Sequence, residues 1–152
     1  MTGVALTINS CYLAGPMRGH EAFNFPAFHK EAAWLRANGW KVFSPAERDE
    51  ADEALNGDWA VGVQRGLDYF MQFDLAAVCQ TEAVVLMKGW ETSQGARLEA
   101  MVAVEVDHPV FEIARVGLAQ RKQLLSVDNA RIAAEFIAGS KGYDQLPTLV
   151  LS

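Results

Sequence analysis

Apolar residues along the chain are grouped in short runs that predict an alternation of strands and helices. Four runs have the length and residue types of strands, at 4–14, 40–43, 83–87 and 109–113. The run AVVLM at 83–87 is apolar throughout, which is typical of a strand buried on both faces of a parallel sheet. The segment 148–151 is expected to add an edge strand or an arm packed on a partner.

Between these runs, apolar residues recur at helical spacing. The first helix is expected to begin after Asn24, a residue type that caps helices, and to end at 38–39, where Asn-Gly is a stop signal. The acidic stretch 47–58 is expected to be a surface loop with a partial helix. The next helix should begin late or be interrupted, near Gly62 or Gly66. That helix is predicted at 59–78, and two more are predicted at 96–106 and 127–137.

The alternation of strands and helices predicts the α/β class, with one domain over residues 1–152. Short right-handed crossovers favour a doubly wound, mainly parallel sheet of the flavodoxin-like or Rossmann-like kind, in the order 2-1-3-4-5 with helices on both faces. The strand order reverses between the first and third strands, and ligands bind beyond the carboxyl ends of the strands at such a reversal. The loops at 15–19 (GPMRG) and 88–95 (KGWETSQG) should therefore meet at one crevice.

The composition narrows the classes of function. With 152 residues, 51% hydrophobic and 21% charged, the chain has the composition of an ordinary soluble domain. Its net charge of −6 argues against binding nucleic acid through a general basic face, but local arginines can still hold a single phosphate. Residues 2–10 lack the basic start and long apolar run of a signal peptide, and no apolar segment is long enough to span a membrane. A cytoplasmic protein is therefore expected.

The cysteines and histidines do not indicate a metal site. Cys11 and Cys79 lie in apolar stretches without ligand spacing and are expected to be buried free thiols. The three histidines share no recognisable metal motif. No metal or other cofactor is expected.

Two residues that follow the third predicted strand are candidates for chemistry. Glu99 lies in the opening turns of the next predicted helix, where the helix N-terminus favours a charged carboxylate. Ser93, six residues earlier, either caps that helix or offers its hydroxyl and the nearby backbone amides to a phosphate. The alternative is a plain serine cap followed by a solvent-facing glutamate.

Three further residues have both a structural and a functional interpretation. Asp74 lies in the apolar stretch YFMQFDLAAV and must be exposed or have partners, because burying a lone carboxylate is unfavourable. Tyr12 is either a core aromatic or a phenol that reaches the crevice from the end of the first strand. Arg18 presents a planar fork suited to phosphate or carboxylate, or else makes a surface contact or a structural ion pair. Taken singly, none of these residues decides the function.

Taken together, the order and spacing of these residues resemble a known enzyme superfamily. The motif YLAGPMRG covers 12–19, Asp74 precedes the third strand, and SQGARLE covers 93–99. Over about residues 10–113 the chain resembles the nucleoside 2-deoxyribosyltransferase superfamily. Within it, the likeness is to the 2'-deoxynucleoside 5'-monophosphate N-glycosidases (the nucleotide N-hydrolases) and to their small phage-associated relatives.

The resemblance implies a role for each matching position. Glu99 is expected to be the nucleophile that attacks the anomeric carbon, with Asp74 and Tyr12 positioning it, the sugar hydroxyl or the leaving base. Ser93 stands where the transferases have an aspartate that handles the base, and where the nucleotide hydrolases have a serine that binds the 5'-phosphate. Further substrate-binding positions are expected at Gly15, Met17, Arg18, Gly19 and Gly95.

The function that the resemblance implies is hydrolysis of the N-glycosidic bond of a (2'-deoxy)nucleoside 5'-monophosphate, releasing the free base and (deoxy)ribose 5-phosphate. Two alternatives stay open: exchange of bases between nucleosides, and a nucleotide-binding module without turnover. The partner would be a small nucleotide or nucleoside, with no nucleic acid or membrane. A homodimer or larger homo-oligomer is also implied, in which a neighbouring subunit adds a polar residue to the site, with Ser126 and Asn129 as candidates. The identity of the base stays open as well, and so does the choice between ribose and deoxyribose as the sugar of the substrate.

Overall fold

A computed structural model describes residues 7–52 and 65–139, which form a five-stranded sheet with helices around it. The strands are β1 (Ser10–Ala14), β2 (Lys41–Phe43), β3 (Ala83–Leu86), β4 (Val110–Val116) and β5 (Arg121–Ser126). Their order is β2-β1-β3-β4-β5, and every pairing is parallel except that of β4 with β5. The α/β class and the order 2-1-3-4-5 are confirmed.

The fifth strand is not the segment that the sequence suggested. Strand β5 forms an antiparallel hairpin with β4, with Arg115 opposite Lys122 and Val116 opposite Arg121. The turn between them is tight, and Gly117 adopts a positive φ of 78° that favours glycine. The predicted edge strand at 148–151 lies outside the described residues.

Helices connect the strands close to where the apolar spacing predicts them. They are α1 (Phe25–Ala37), α2 (Pro45–Glu50), α3 (Leu67–Gln80), α4 (Gln94–Glu105) and α5 (Asn129–Gly139). Helix α3 begins directly after Gly66, which agrees with the late start expected for the helix at 59–78, whose residues 59–64 lie outside the described part. Helix α2 agrees with the partial helix expected within 47–58 but begins earlier, at Pro45, because Ser44 and Pro45 together form a helix start. None of the described helices has both the length and the apolar character needed to cross a membrane.

The core lies on both faces of the sheet, because side chains alternate between the faces along each strand. From β1, Tyr12 and Ala14 join one buried cluster with residues of α3, α4 and α5. Cys11 and Leu13 point to the other face and pack against α1. Cys11 is thus the buried thiol expected, but Cys79 is exposed near the end of α3 and that prediction is wrong.

The carboxyl ends of β1 and β3 lie side by side, with Ala14 opposite Leu86, and this juxtaposition positions the loops that follow them. Gly15 follows β1, and a Cβ atom there would lie 2.9 Å from the Cβ of Met87. The missing side chain at Gly15 therefore allows close packing on Met87, so a close approach to a ligand is not its only explanation.

Candidate functional site

A cavity of about 450 Å³ opens beyond the carboxyl ends of β1 and β3, at the reversal of strand order. This size is in the range of small-molecule sites. The structure brings all of the sequence-predicted site residues to its wall: Tyr12, Gly15, Met17, Arg18, Gly19, Asp74, Ser93, Gly95 and Glu99. Residues from β1, α3 and α4, separated by up to 87 positions in the chain, thus meet around one space.

Tyr12 and Glu99 are joined by a hydrogen bond at the buried end of this cavity. The Tyr12 hydroxyl donates to Oε2 of Glu99, and both side chains are nearly inaccessible to solvent. The ring of Tyr12 stacks on that of Phe43, with 5.6 Å between the ring centres, which fixes the direction of its hydroxyl. One carboxylate oxygen of Glu99 is therefore held by a rigid donor, and the carboxyl group still contributes to the cavity wall.

The electrostatic surroundings of Glu99 differ from what its helical position predicts. Burial, and next the charge of Asp74, raise the pKa of Glu99 well above its usual range, although the Tyr12 hydrogen bond lowers it. The helix N-terminus was expected to favour the charged form, but that effect is confined to the first turn and Glu99 lies beyond it. Burial therefore outweighs the effect of the Tyr12 hydrogen bond, and it makes the charged form of Glu99 less favourable than that of an exposed glutamate.

Asp74 lies on α3 and is buried, with 4% of its surface exposed. Its Oδ1 atom is enclosed and has no hydrogen-bond partner among the described residues. Burial and then the charge of Asp49 raise the pKa of Asp74 to about 7, while Arg48 and the Tyr12 hydroxyl lower it. Asp74 therefore changes protonation near neutral pH, at a position on the cavity wall beside Glu99 and Tyr12.

A further acid of the cavity, Asp49, is not among the residues that the sequence indicated. Asp49 is 6% exposed, and its Oδ1 accepts a hydrogen bond of 3.1 Å from Nη1 of Arg48. Burial raises the pKa of Asp49 to about 6 against the opposing effect of Arg48. The Ser44-Pro45 helix start was the available signal, because it places Asp49 in a helical turn directly after β2.

The mouth of the cavity carries the cation that the sequence indicated. Arg18 is exposed there, its Nη2 donates to the carbonyl oxygen of Arg65 at 2.8 Å, and its guanidinium lies 5.6 Å from the ring centre of Phe70. Gly19 follows with a positive φ of 81°, so the turn around Arg18 requires a glycine. These two contacts hold the guanidinium of Arg18 at the mouth of the cavity. Several of its N–H donors are still available there to a ligand.

At the start of α4, Ser93 is the cap that the sequence predicts. Its Oγ accepts a hydrogen bond of 3.2 Å from the backbone N–H of Ala96. The backbone amides of Gln94 and Gly95 belong to the first turn, where no helical carbonyl is available to them, and both residues line the cavity. A helix N-terminus with free amides can bind an anionic group of a ligand.

Apolar side chains cover the wall between the acids and the mouth. Phe23, Phe25 and Phe70 are aromatic residues of this wall and can stack on a base. Trp90 is a buried core residue and does not line this cavity.

The residues considered for a subunit contact lie apart from these acids. Ser126 and Asn129, the candidates for a residue donated to a neighbouring subunit, are exposed beyond this cavity, at the end of β5 and the start of α5. Within residues 7–52 and 65–139, no group of three or more His, Cys, Asp or Glu side chains is arranged to hold a metal ion.

Comparison with known proteins places the chain in a family. A family model described as a domain of unknown function (DUF4406) matches residues 9–112, and no curated protein matches the chain. The matched segment runs from just before β1 into β4, so it contains Tyr12, Asp49, Asp74 and Glu99. Because the match covers more than half of the sequence, the chain belongs to the DUF4406 family.

Proposed function

We propose that this protein hydrolyses the N-glycosidic bond of a (2'-deoxy)nucleoside 5'-monophosphate, with Glu99 as the nucleophile. The observation that carries the proposal is the buried group of Tyr12, Asp74 and Glu99 on the wall of one cavity, with the Tyr12 hydroxyl bonded to Glu99. Strongly perturbed acids in a cavity are typical of catalytic sites. The likeness of the residue pattern to the nucleotide N-hydrolases supports the choice of reaction.

The first chemical step breaks the bond between the anomeric carbon and the base nitrogen. In its anionic form, Glu99 attacks that carbon through an oxocarbenium-like transition state and forms a glycosyl ester. Tyr12 holds the second carboxylate oxygen, which keeps Glu99 aimed during the attack. The departing base takes the electron pair of the broken bond and a proton from Asp74, whose pKa of about 7 is suited to proton donation near neutral pH.

In the second step, a water molecule attacks the same carbon and displaces the Glu99 carboxylate. Asp74, now ionised, accepts the proton of that water, and the products are the free base and (deoxy)ribose 5-phosphate. Two displacements at one carbon give net retention of configuration. No electron acceptor and no further co-reactant enters this balance.

The distribution of charge favours a substrate with a phosphate at one end. The acids lie at the buried end of the cavity, whereas Arg18 and the first amides of α4 lie toward its mouth. A nucleotide would therefore bind with its phosphate near Arg18 and Ser93 and its anomeric carbon near Glu99, because the opposite orientation would bring like charges together. The apolar wall between them is suited to the ring of a base.

Base transfer between nucleosides is the second candidate function, and it would use the same acids. Ser93 stands at the position where the transferases carry an aspartate, and a hydroxyl next to free amides is better suited to a phosphate than to a base. This residue favours hydrolysis of a nucleotide over transfer.

The test is a measurement of free base released from a panel of ribo- and deoxyribonucleoside 5'-monophosphates and from the corresponding nucleosides. We expect release from at least one monophosphate and much slower release from its nucleoside. Glu99→Gln should reduce the rate by about a thousandfold or more, because the nucleophile is lost. Glu105→Gln is the matched control, since Glu105 is an exposed glutamate on the same helix and should leave the rate unchanged.

Three results would contradict the proposal. Full activity in a folded Glu99→Gln variant would exclude this residue as the nucleophile. Absence of base release from every monophosphate, with tight binding of one of them, would favour the module without turnover. If a second free base increases consumption of the first nucleoside and yields a new nucleoside, transfer is the reaction.

A further inference from the structure

Asn24, at the start of α1, is not part of the cavity wall and has no role in the proposed mechanism. The sequence indicated it as the cap of α1, but its side chain makes no capping hydrogen bond. Its amide nitrogen Nδ2 instead donates to the carbonyl oxygen of Pro16 at 2.9 Å. On the basis of the proposed function, we propose that Asn24 is a positioning residue, which holds the peptide unit between Pro16 and Met17 so that the N–H of Met17 can donate to the substrate phosphate.

The hydrogen bond from Asn24 reaches the loop that follows β1, in which Arg18 also lies. Pro16 is buried and borders the cavity, and Asn24 binds its carbonyl oxygen from eight positions further along the chain. The ring of Pro16 also packs closely on the loop after β3, because a Cβ atom at Gly89 would lie 3.4 Å from its Cγ. Pro16 is therefore held both by the loop after β3 and by the side chain of Asn24.

This hydrogen bond sets the direction of the next backbone amide. The peptide unit between Pro16 and Met17 is trans and planar, so its C=O and N–H groups point in opposite directions. Because the carbonyl oxygen of Pro16 is bound to Asn24, the N–H of Met17 points away from Asn24. Met17 borders the cavity, and no residue within 7–52 or 65–139 accepts a hydrogen bond from its N–H. This N–H is therefore available to a ligand, one residue before Arg18.

The side chain of Asn24 reaches Pro16 from a strained turn. Ala22, Phe23 and Asn24 have φ values of 49°, 51° and 61°, so three consecutive residues other than glycine are left-handed. This conformation is unfavourable for alanine and phenylalanine, whereas asparagine tolerates it better. The N–H of Phe23 donates to the carbonyl oxygen of His20 at 3.1 Å, which helps to hold the turn. Strain of this kind persists only where surrounding contacts maintain it, and it is concentrated at functional sites.

A purely structural role for Asn24 predicts a different effect of glycine. If Asn24 were needed only because asparagine tolerates a left-handed backbone, glycine would replace it without loss, since glycine adopts that conformation at no steric cost. If its side-chain amide positions the N–H of Met17, glycine keeps the turn and loses the hydrogen bond to Pro16. The loss should then appear in the binding of a phosphate-bearing substrate, because a backbone N–H and a phosphate form a charge-assisted hydrogen bond.

The experiment compares the kinetics of the wild-type protein with those of Asn24→Gly and Ala22→Gly. Asn24→Gly should raise KM by about tenfold for the monophosphate that releases base fastest, the equivalent of one hydrogen bond to a charged group. It should change kcat little and leave the kinetics of the corresponding nucleoside unchanged. Ala22→Gly is the matched control, because it places a glycine at an exposed position of the same turn and keeps the side chain of Asn24. It should leave both substrates unaffected and raise the thermal midpoint by about 2–4 °C, because it relieves left-handed strain.

The second readout is the backbone amide resonance of Met17 in NMR titrations with ribose 5-phosphate and 2-deoxyribose 5-phosphate. These compounds carry the phosphate and have no base to release, so the titration is independent of turnover. In the wild-type and Ala22→Gly proteins the resonance should move downfield, as expected for an N–H that donates to phosphate. In Asn24→Gly the same movement should need about tenfold more ligand.

The possible results separate the role of Asn24 from the proposed function. An unchanged KM in folded Asn24→Gly, or an equal rise for the monophosphate and the nucleoside, would overturn the role of Asn24. An equal rise in Ala22→Gly would also overturn it, because rigidity of the turn would then be the cause. A resonance of Met17 that responds to neither sugar phosphate would show that its N–H does not bind the phosphate. Absence of base release by the wild-type protein rejects the proposed function instead, and the NMR titrations then still decide whether Asn24 positions this N–H.

Discussion

Replacement of Asp74 by asparagine should make the protein more stable at alkaline pH. The side chain is buried, and its Oδ1 has no hydrogen-bond partner among the described residues. An ionised carboxylate in that position is unfavourable, whereas an amide of the same size carries no charge. The variant thus removes an electrostatic cost that the wild-type protein carries whenever Asp74 is ionised.

The magnitude follows from the pKa of Asp74. Burial raises it from 3.8 to about 7 in the folded protein, a rise of about three pH units. At about 1.4 kcal/mol per unit, the ionised carboxylate lowers the free energy of unfolding by about 4 kcal/mol above pH 7. The sign is that of an acid with a raised pKa: the folded state binds the proton more tightly, so stability is greatest at low pH and declines as pH rises from about 4 to about 7.

The assay is urea denaturation of wild type and Asp74→Asn at pH 5 and pH 8, with the free energy of unfolding extrapolated to water. The stability advantage of the variant should be about 2–3 kcal/mol larger at pH 8 than at pH 5. Asp68→Asn, which changes an exposed aspartate on the same helix, is the control, and it should not reproduce this gain because its side chain is not buried. An advantage that is equal at both pH values, or a variant less stable than wild type at pH 8, would refute the reasoning.

Three other substitutions test the walls of the cavity. Gly15→Ala should lower the free energy of unfolding by about 1–3 kcal/mol, because its Cβ would lie 2.9 Å from the Cβ of Met87; an unchanged thermal midpoint would contradict this. Ser93→Ala should destabilise the protein by about 1 kcal/mol in urea denaturation, since Ala96 loses its cap, and Ser93→Thr should retain that stability. Arg18→Gln should raise KM for the monophosphate by about 5- to 150-fold, the equivalent of 1–3 kcal/mol, and leave nucleoside kinetics unchanged; equal effects on both substrates would show that Arg18 does not contact the phosphate.

The parts of the fold that the sequence predicts are those determined by local patterning. The continuous apolar run of β3 and the strand end before Gly15 are enough to place the two loops at one crevice. The hairpin strand β5 was missed because its sequence, RKQLLS, is half-exposed and carries charges, so it lacks the apolar run of a central strand. Its position depends on pairing with β4, which is a tertiary contact.

The same distinction, between what local patterning predicts and what depends on tertiary contacts, applies to the residues of the site. Tyr12, Asp74 and Glu99 could be chosen because the order of their motifs resembles that of a known superfamily, and the structure places them on one cavity wall. Asp49 could not be chosen in this way, because a six-residue helix offers little periodicity and an aspartate in an acidic stretch has the appearance of a surface residue. The raised pKa of Glu99 also could not be predicted from the sequence. Its burial depends on all the elements around it, and this burial overrides the effect of the helix end.

The unfavourable burial of Asp49, Asp74 and Glu99 is itself a reason to expect that these acids take part in a reaction. A protein that needed only a folded sheet would be more stable with neutral side chains at Asp49, Asp74 and Glu99, because each pKa is raised by burial and each ionised form is therefore unfavourable in the folded state. Arg48 offsets part of this cost at Asp49, but Glu99 receives, among the described side chains, only the hydroxyl of Tyr12. Stability that is given up at a cavity is typical of a site where the charge is needed for a reaction. The Asp74→Asn comparison thus tests both the electrostatics and the premise of the proposed function, since a gain in stability and a loss of base release should accompany each other in one variant.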